Sequence, residues 1–214
     1  MDYKNIQIFE ELAAEYDAWF DRHRLIYASE LQALQKCVPP AGRGLEIGAG
    51  SGRFALPLGV RVGVEPAGTM ARIARKRGLE VLRAIAGELP FKEQSYDFVL
   101  LVTVLCFLPD PPGALREATR VLQPGGRIII GMIDRDSPLG QVYEVKKQES
   151  NFYRHAQFYP VTQALEWLQT LGYENCMTYQ TIFRNFPEIT GLEPVKAGHG
   201  QGGFVVISAR KADF

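Results

Sequence analysis

The feature that most constrains this chain is the stretch Gly44-Leu45-Glu46-Ile47-Gly48-Ala49-Gly50-Ser51-Gly52-Arg53-Phe54, where a short apolar run meets three glycines at alternate positions. The pattern predicts a strand that enters a tight turn and then a helix. With no side chains at the turn, φ > 0 costs little and a ligand can lie directly against the backbone. Strand–turn–helix units of this kind bind nucleotides in parallel α/β sheets, although glycine turns also serve only to reverse a chain. The spacing narrows the choice. In the dinucleotide pattern G-x-G-x-x-G the third glycine comes one residue later, at the place Arg53 occupies here.

The rest of the chain sets bounds on that reading. Its 214 residues suit a single domain with a sizeable core. Lys+Arg and Asp+Glu are equal at 24 each, so no basic excess points to nucleic acid or an anionic membrane surface. Cys37, Cys106 and Cys176 are widely spaced and form no C-x-x-C pair, which indicates neither a disulfide framework nor a metal site. Met1-Asp2-Tyr3-Lys4-Asn5 lacks the layout of a signal peptide, and no apolar run is long enough to span a bilayer. The expectation is a cytoplasmic protein.

Ahead of the glycine turn, Phe9, Leu12, Tyr16, Trp19, Phe20, Ile26, Tyr27, Leu31 and Leu34 step by threes and fours. That spacing predicts two amphipathic helices with a bend at Asp21-Arg22-His23-Arg24, closed by Pro39-Pro40. This segment either packs on the flank of the sheet or forms a lid whose Tyr16 or Trp19 covers a bound ligand. After the turn, Arg61 to Glu65 reads as a second strand with its acid at the carboxyl end, where a carboxylate can accept from both hydroxyls of a ribose. Glu80 to Ala84 reads as a third strand and Tyr96 to Val102 as a fourth. A helix over Leu115 to Leu122 and a continuous apolar strand over Arg127 to Ile133 follow.

Taken in order, E-x-G-x-G-x-G at Glu46–Gly52, E-P-x-x-x-M at Glu65–Met70, A-G-E-L-P-F at Ala86–Phe91 and L-R-E-A-T-R-V-L-Q-P-G-G at Leu115–Gly126 resemble the class I S-adenosylmethionine-dependent methyltransferases. The broad group includes the ubiquinone and menaquinone C-methyltransferases, and the resemblance covers roughly residues 40 to 133. It implies a Rossmann-like α/β fold with a mostly parallel seven-stranded sheet, helices on both faces and an antiparallel last strand. It also implies S-adenosyl-L-methionine as cofactor. Gly48, Ala49 and Gly50 would hold its methionine end, with Glu46 oriented beneath them. Glu65 would hold the ribose, Pro66, Met70, Ala86 and Gly87 would lie about the adenine, and Thr103 and Tyr16 would complete the site. Ile85 departs from the family, which often has an acidic or hydroxyl residue there. The stretch Thr103-Val104-Leu105-Cys106 lacks the N/D-P-P-Y signature of many amide-nitrogen methyltransferases.

Beyond Ile133 the family pattern thins, and that is where acceptor choice is expected. The long connection from Asp134 to about Tyr159, with its aromatic cluster Phe152 to Tyr159, predicts an insertion over 134–160 that caps the substrate. The segmentation is then a helical cap over 1–40 and a cofactor-binding domain over 41–214, within one structural domain. Val161 to Leu171 predicts a helix stopped by Gly172, and two closing strands follow over Tyr173–Phe183 and Gly203–Arg210. A dedicated general base is needed only where the acceptor stays protonated until attack, so the sequence demands none. His199, in a glycine-rich loop, and His155, in the aromatic cluster, are the weak candidates, and Cys106 in an apolar run reads as a small buried hydrophobe. The expected function is transfer of a methyl group to a small-molecule acceptor by in-line displacement. A non-catalytic protein that binds the same cofactor and an NAD(P)-dependent oxidoreductase are the alternatives.

Overall fold

The computed structural model describes residues 3–213. Met1, Asp2 and Phe214, the outer ends of the two expected segments, lie outside the described residues. Eight strands form one sheet: β1 (Gly44–Ile47), β2 (Val62–Val64), β3 (Glu80–Leu82), β4 (Tyr96–Val102), β5 (Leu122–Ile133), β6 (Tyr173–Thr181), β7 (Lys196–Ala197) and β8 (Phe204–Lys211). Their order is β3-β2-β1-β4-β5-β8-β6-β7. β1 to β5 run parallel, and β8 lies antiparallel between β5 and β6. The count is eight rather than seven because the two-residue β7, from the loop before β8, pairs with the outer edge of β6. The last two long strands form the expected antiparallel pair.

Alternation along the strands explains why both faces are covered. In β4, Val99 and Leu101 join one apolar cluster, with Ala114, Leu115 and Ala118 of α5 (Pro111–Val121) and Leu168 of α7 (Val161–Thr170). Phe98, Leu100 and Val102 point the other way, toward Ile26 and Leu34 of α3 (Arg24–Gln35) and Ala71 and Ala74 of α4 (Gly68–Lys76). A strand buried on both faces has no polar side, which is why β4 after Asp97 reads as an unbroken apolar run from Phe98 to Val102. The local signals agree with the helix ends: Asp110 accepts from Gly113 N at 2.9 Å to cap α5, with Pro111 in the first turn.

Two expectations are corrected. The glycine cluster leads into turns and a short 3-10 segment at Leu56–Leu58, not into an α-helix. Gly48, Gly50 and Gly52 all have positive φ, and Pro57 removes the amide that a continuing helix would need. The N-terminal segment is three helices rather than two: α1 (Tyr3–Glu11), α2 (Ala13–Arg22) and α3, with the expected bend at His23 and a second break at Leu12. A further helix, α6 (Pro138–Lys146), occupies the connection after β5.

Strand order reverses between β1 and β4: the chain goes outward through β2 and β3, then returns to the other side of β1. Crevices beyond the carboxyl ends of strands at such a point are where open α/β sheets bind ligands. Gly48 follows β1 and Thr103 follows β4, so the topology alone brings the glycine turn and Thr103 together.

Candidate functional site

Two cavities meet at that edge. The first is a cleft of about 30 Å³ bordered by Gly48, Gly50, Glu65, Met70, Thr103 and Phe107, with Phe9 and Tyr16 over it. Gly48 is at φ +72°, and a Cβ there would lie 2.5 Å from Val104 Cγ2, so the turn packs too closely against the β4 end for any side chain. Gly50, at φ +53°, is different: the nearest atoms to an added Cβ are Met70 Cε and Tyr16 Cε1, both at 4.0 Å, so its bare backbone faces the cleft.

Two acids support the turn. Glu65 accepts from Gly50 N at 2.9 Å and from Ala67 N at 2.8 Å, which ties the β2 end to the glycine turn. Burial raises its carboxyl, and those two amides oppose the rise. Glu46 is 1% exposed, and its Oε2 has no partner. Burial pushes it up to about 8, against a hydrogen bond from Ala55 and with Glu65 adding in the same sense.

The helices over the cleft are fastened by charge. Glu10 of α1 accepts from Thr69 N at 3.0 Å and Thr69 Oγ1 at 2.7 Å, supplying from a distant element the cap that Ala67 cannot give α4. Asp17 of α2 accepts from Ser51 Oγ at 2.6 Å, Arg53 Nε at 2.9 Å and Arg77 Nη2 at 2.5 Å. Arg53 also pairs with Asp21 at 2.7 Å. The residue that stands where a dinucleotide glycine would fall is therefore the anchor of α2.

Thr103 and Tyr16 form the wall shared with the second cavity, a chamber of about 390 Å³. Thr103 has φ +52° and donates its hydroxyl to Val102 O. A β-branched residue in the left-handed region is strained by about 1–3 kcal/mol, and such strain gathers at functional sites. Burial raises the Tyr16 hydroxyl far above its usual range, opposed by the neighbouring Thr103 hydroxyl. The chamber is lined from α2 by Trp19, from α3 by Glu30, from α6 by Tyr143 and from the following turns by Phe152 and Tyr153.

Of the residues expected from sequence, the structure brings Tyr16, Gly48, Gly50, Glu65, Met70 and Thr103 to one cleft. Ala49 lies beneath, against Gly63, and Glu46 is behind the turn. Gly87 borders a separate groove with Ile85 and Asp110, and Ala86 is buried in the core, so neither joins the cleft walls. Pro66 is half-buried, its carbonyl accepting from Arg83. His155 and His199 are exposed and border neither cavity. Burial pushes the Cys106 thiol up to about 12, which keeps it protonated and unreactive. Sequence reasoning missed Asp17 and Glu30. For Glu30 the signal was present: it sits four residues from both Ile26 and Leu34, on the stripe that α3 turns inward.

Comparison with known proteins agrees with this geometry. Residues 45–130 match a family model described as a methyltransferase domain. An uncharacterised protein of Methanocaldococcus jannaschii is 49% identical over 206 residues, 96% of this chain and 100% of that one. A Bacillus cereus demethylmenaquinone methyltransferase is 26% identical over 141 residues, 57% of this chain and 59% of that one. A crystal structure from Thermotoga maritima, described as an S-adenosylmethionine-dependent methyltransferase and possible histamine N-methyltransferase, superimposes with a TM-score of 0.92. It is 49% identical and covers 96% of this chain and 99% of its own. The glycine turn at the strand-order reversal, the acid that follows β2 and these relatives converge: the chain belongs to the S-adenosylmethionine-dependent methyltransferases.

Proposed function

We propose that this protein transfers the methyl group of S-adenosylmethionine to a small organic acceptor held in the 390 Å³ chamber. The observation that carries the reading is the shared wall: Tyr16 and Thr103 border both the glycine-turn cleft and the chamber. A ligand in each would meet at that wall. The bare backbone at Gly50 and the orphaned Glu46 Oε2 behind it fit a ligand with amine and hydroxyl donors. In this reading Gly48, Ala49 and Gly50 present backbone, Glu65 takes the ribose, and Met70 packs against the base. The cleft is smaller than such a cofactor, so Phe9 and Tyr16 of the capping helices shift to admit it.

When bound, the cofactor supplies a methyl group already activated on a sulfonium. The chain's own task is positioning: the walls hold the acceptor in line and exclude water, with reacting atoms about 3–3.5 Å apart. Residues 1–40 serve as a cap over both ligands, and 134–160 close the acceptor side through α6 and Tyr153.

Thermal unfolding with S-adenosylmethionine, S-adenosylhomocysteine and NADH, each alone, tests the cofactor. At 100 times its dissociation constant a ligand adds about 2.7 kcal/mol, a rise of about 5–11 °C for a chain of this size. The expected result is a rise with the two adenosyl ligands and none with NADH. Acceptor-dependent release of S-adenosylhomocysteine across small amines, phenols and thiols tests transfer. Cofactor binding with no turnover on any acceptor would replace this reading with a non-catalytic one.

A further inference from the structure

The chamber's chemistry is one-sided. Its walls carry aromatic rings, and within them stands one carboxyl, Glu30, whereas the other ionisable residues at its border, Glu15, Arg22 and Glu149, are exposed. Tyr16, Tyr143 and Tyr153, which come from three separate segments, line the same chamber as the Glu30 carboxyl. Burial alone pushes Glu30 up to about 8, with no hydrogen bond or neighbouring cation to oppose it. A carboxyl in such a place either keeps its proton or takes a cation. Aromatic faces attract cations as well. Among the described residues the one basic side chain at the border of this chamber is exposed Arg22.

We infer that the methyl acceptor is a small organic amine, bound as its ammonium ion with Glu30 as counter-ion and the surrounding rings as walls; the Glu30 carboxylate then takes one N–H proton, which frees the nitrogen lone pair that accepts the methyl group. The inference rests on the transfer reading above and names its substrate class. A chamber of about 390 Å³ lies in the lower range of small-molecule sites, which suits a compact amine rather than a peptide. Before an amine enters, Glu30 is protonated at neutral pH; the ammonium favours the carboxylate, so binding expels a proton to solvent. The tyrosine hydroxyls facing Glu30 stay protonated throughout, because burial raises each of them. Glu15, Arg22 and Glu149 stay charged in solvent.

The test is calorimetry at pH 7 on the full chain saturated with S-adenosylhomocysteine, in two buffers of different ionisation enthalpy. The probes are butylamine, 2-phenylethylamine and histamine, against butanol and 2-phenylethanol. At least one amine should bind tenfold or more tighter than the alcohols and release close to one proton. Glu30→Gln, which mimics the protonated carboxyl, should lose that preference and the proton release while keeping its affinity for S-adenosylhomocysteine. Glu30→Met provides a second neutral variant. Amines that bind no better than alcohols, or that bind Glu30→Gln undiminished, overturn the inference and leave the transfer reading standing. Failure of S-adenosylhomocysteine itself to bind overturns both.

Discussion

Asp17 offers a quantitative check on how the N-terminal helices are held. Its side chain, 17% exposed, is met by Ser51, Arg53 and Arg77, three groups on or beside the glycine turn. Burial alone would raise its carboxyl, but the hydrogen bonds from Arg77, Arg53 and Ser51 outweigh burial and hold it well below the usual carboxylate range. Asp17→Asn keeps the shape and removes the charge. Arg53 retains Asp21, whereas Arg77 keeps only the Ser51 carbonyl. Exposed pairs contribute about 0.2–1 kcal/mol, and a pair broken in the interior costs about 3–5. A partly screened site between these limits gives about 2 kcal/mol, or a fall in Tm of about 4–8 °C at pH 7. The pH dependence has a definite sign. A carboxyl whose folded pKa lies below its unfolded value of about 3.9 contributes fully above that value and loses the contribution as pH falls through the folded one. Wild type and variant should therefore converge only in strong acid: the gap begins to narrow below about pH 4, is partly lost by pH 3 and closes at lower pH. Thermal unfolding from pH 7 to 3 measures this, and hydrogen exchange should show the α2 amides opening faster in the variant. Equal midpoints at pH 7, or a gap undiminished at pH 3, would refute the reasoning.

The two cleft glycines should separate folding from binding. Gly48→Ala combines left-handed strain with a Cβ 2.5 Å from Val104, so it should lose about 2–5 kcal/mol in denaturant unfolding. Gly50→Ala has room, so only the strain of about 1–2 kcal/mol applies, yet S-adenosylhomocysteine affinity by calorimetry should fall tenfold or more. Glu46 has the opposite pH sign to Asp17. Its folded value, about 8, lies above the unfolded one, so its contribution is present in acid and is lost as pH rises toward 8. The ligand-free protein should lose stability between pH 5 and 8, and Glu46→Gln should flatten that slope; identical slopes would remove Glu46 as the cause.

The fold and the cofactor side were legible because their signals are local. A glycine that needs positive φ, an acid that ends a strand and an apolar run buried on two faces each declare themselves within a few residues, as Gly48, Glu65 and β4 show. The missing helix after the turn is also local in origin, since Pro57 stands in the sequence, but the family pattern pointed the other way. Arg53 shows a limit of motif reading: its spacing spoke against one ligand, while its structural work, holding α2 through Asp17, depends on a residue 36 positions away.

The acceptor chamber left no such local trace, and the reason is physical. Its walls come from α2, α3, α6, the turns around Phe152 and the segment from Ile182 to Phe204, stretches far apart in the chain. No periodicity records an assembly of that kind, because every contributing helix shows only its own amphipathic stripe. What remained readable was a violation of the stripe. A carboxyl at the buried spacing of α3 costs stability wherever it is unpaired, so its presence among Ile26, Ala33 and Leu34 demands a partner from elsewhere. Among the described residues aromatic rings and no buried cation line the chamber with Glu30, and the proposal above assigns the missing partner to a ligand. Residues at odds with their own helix are thus the sequence's best guide to the half of the site that motifs do not cover.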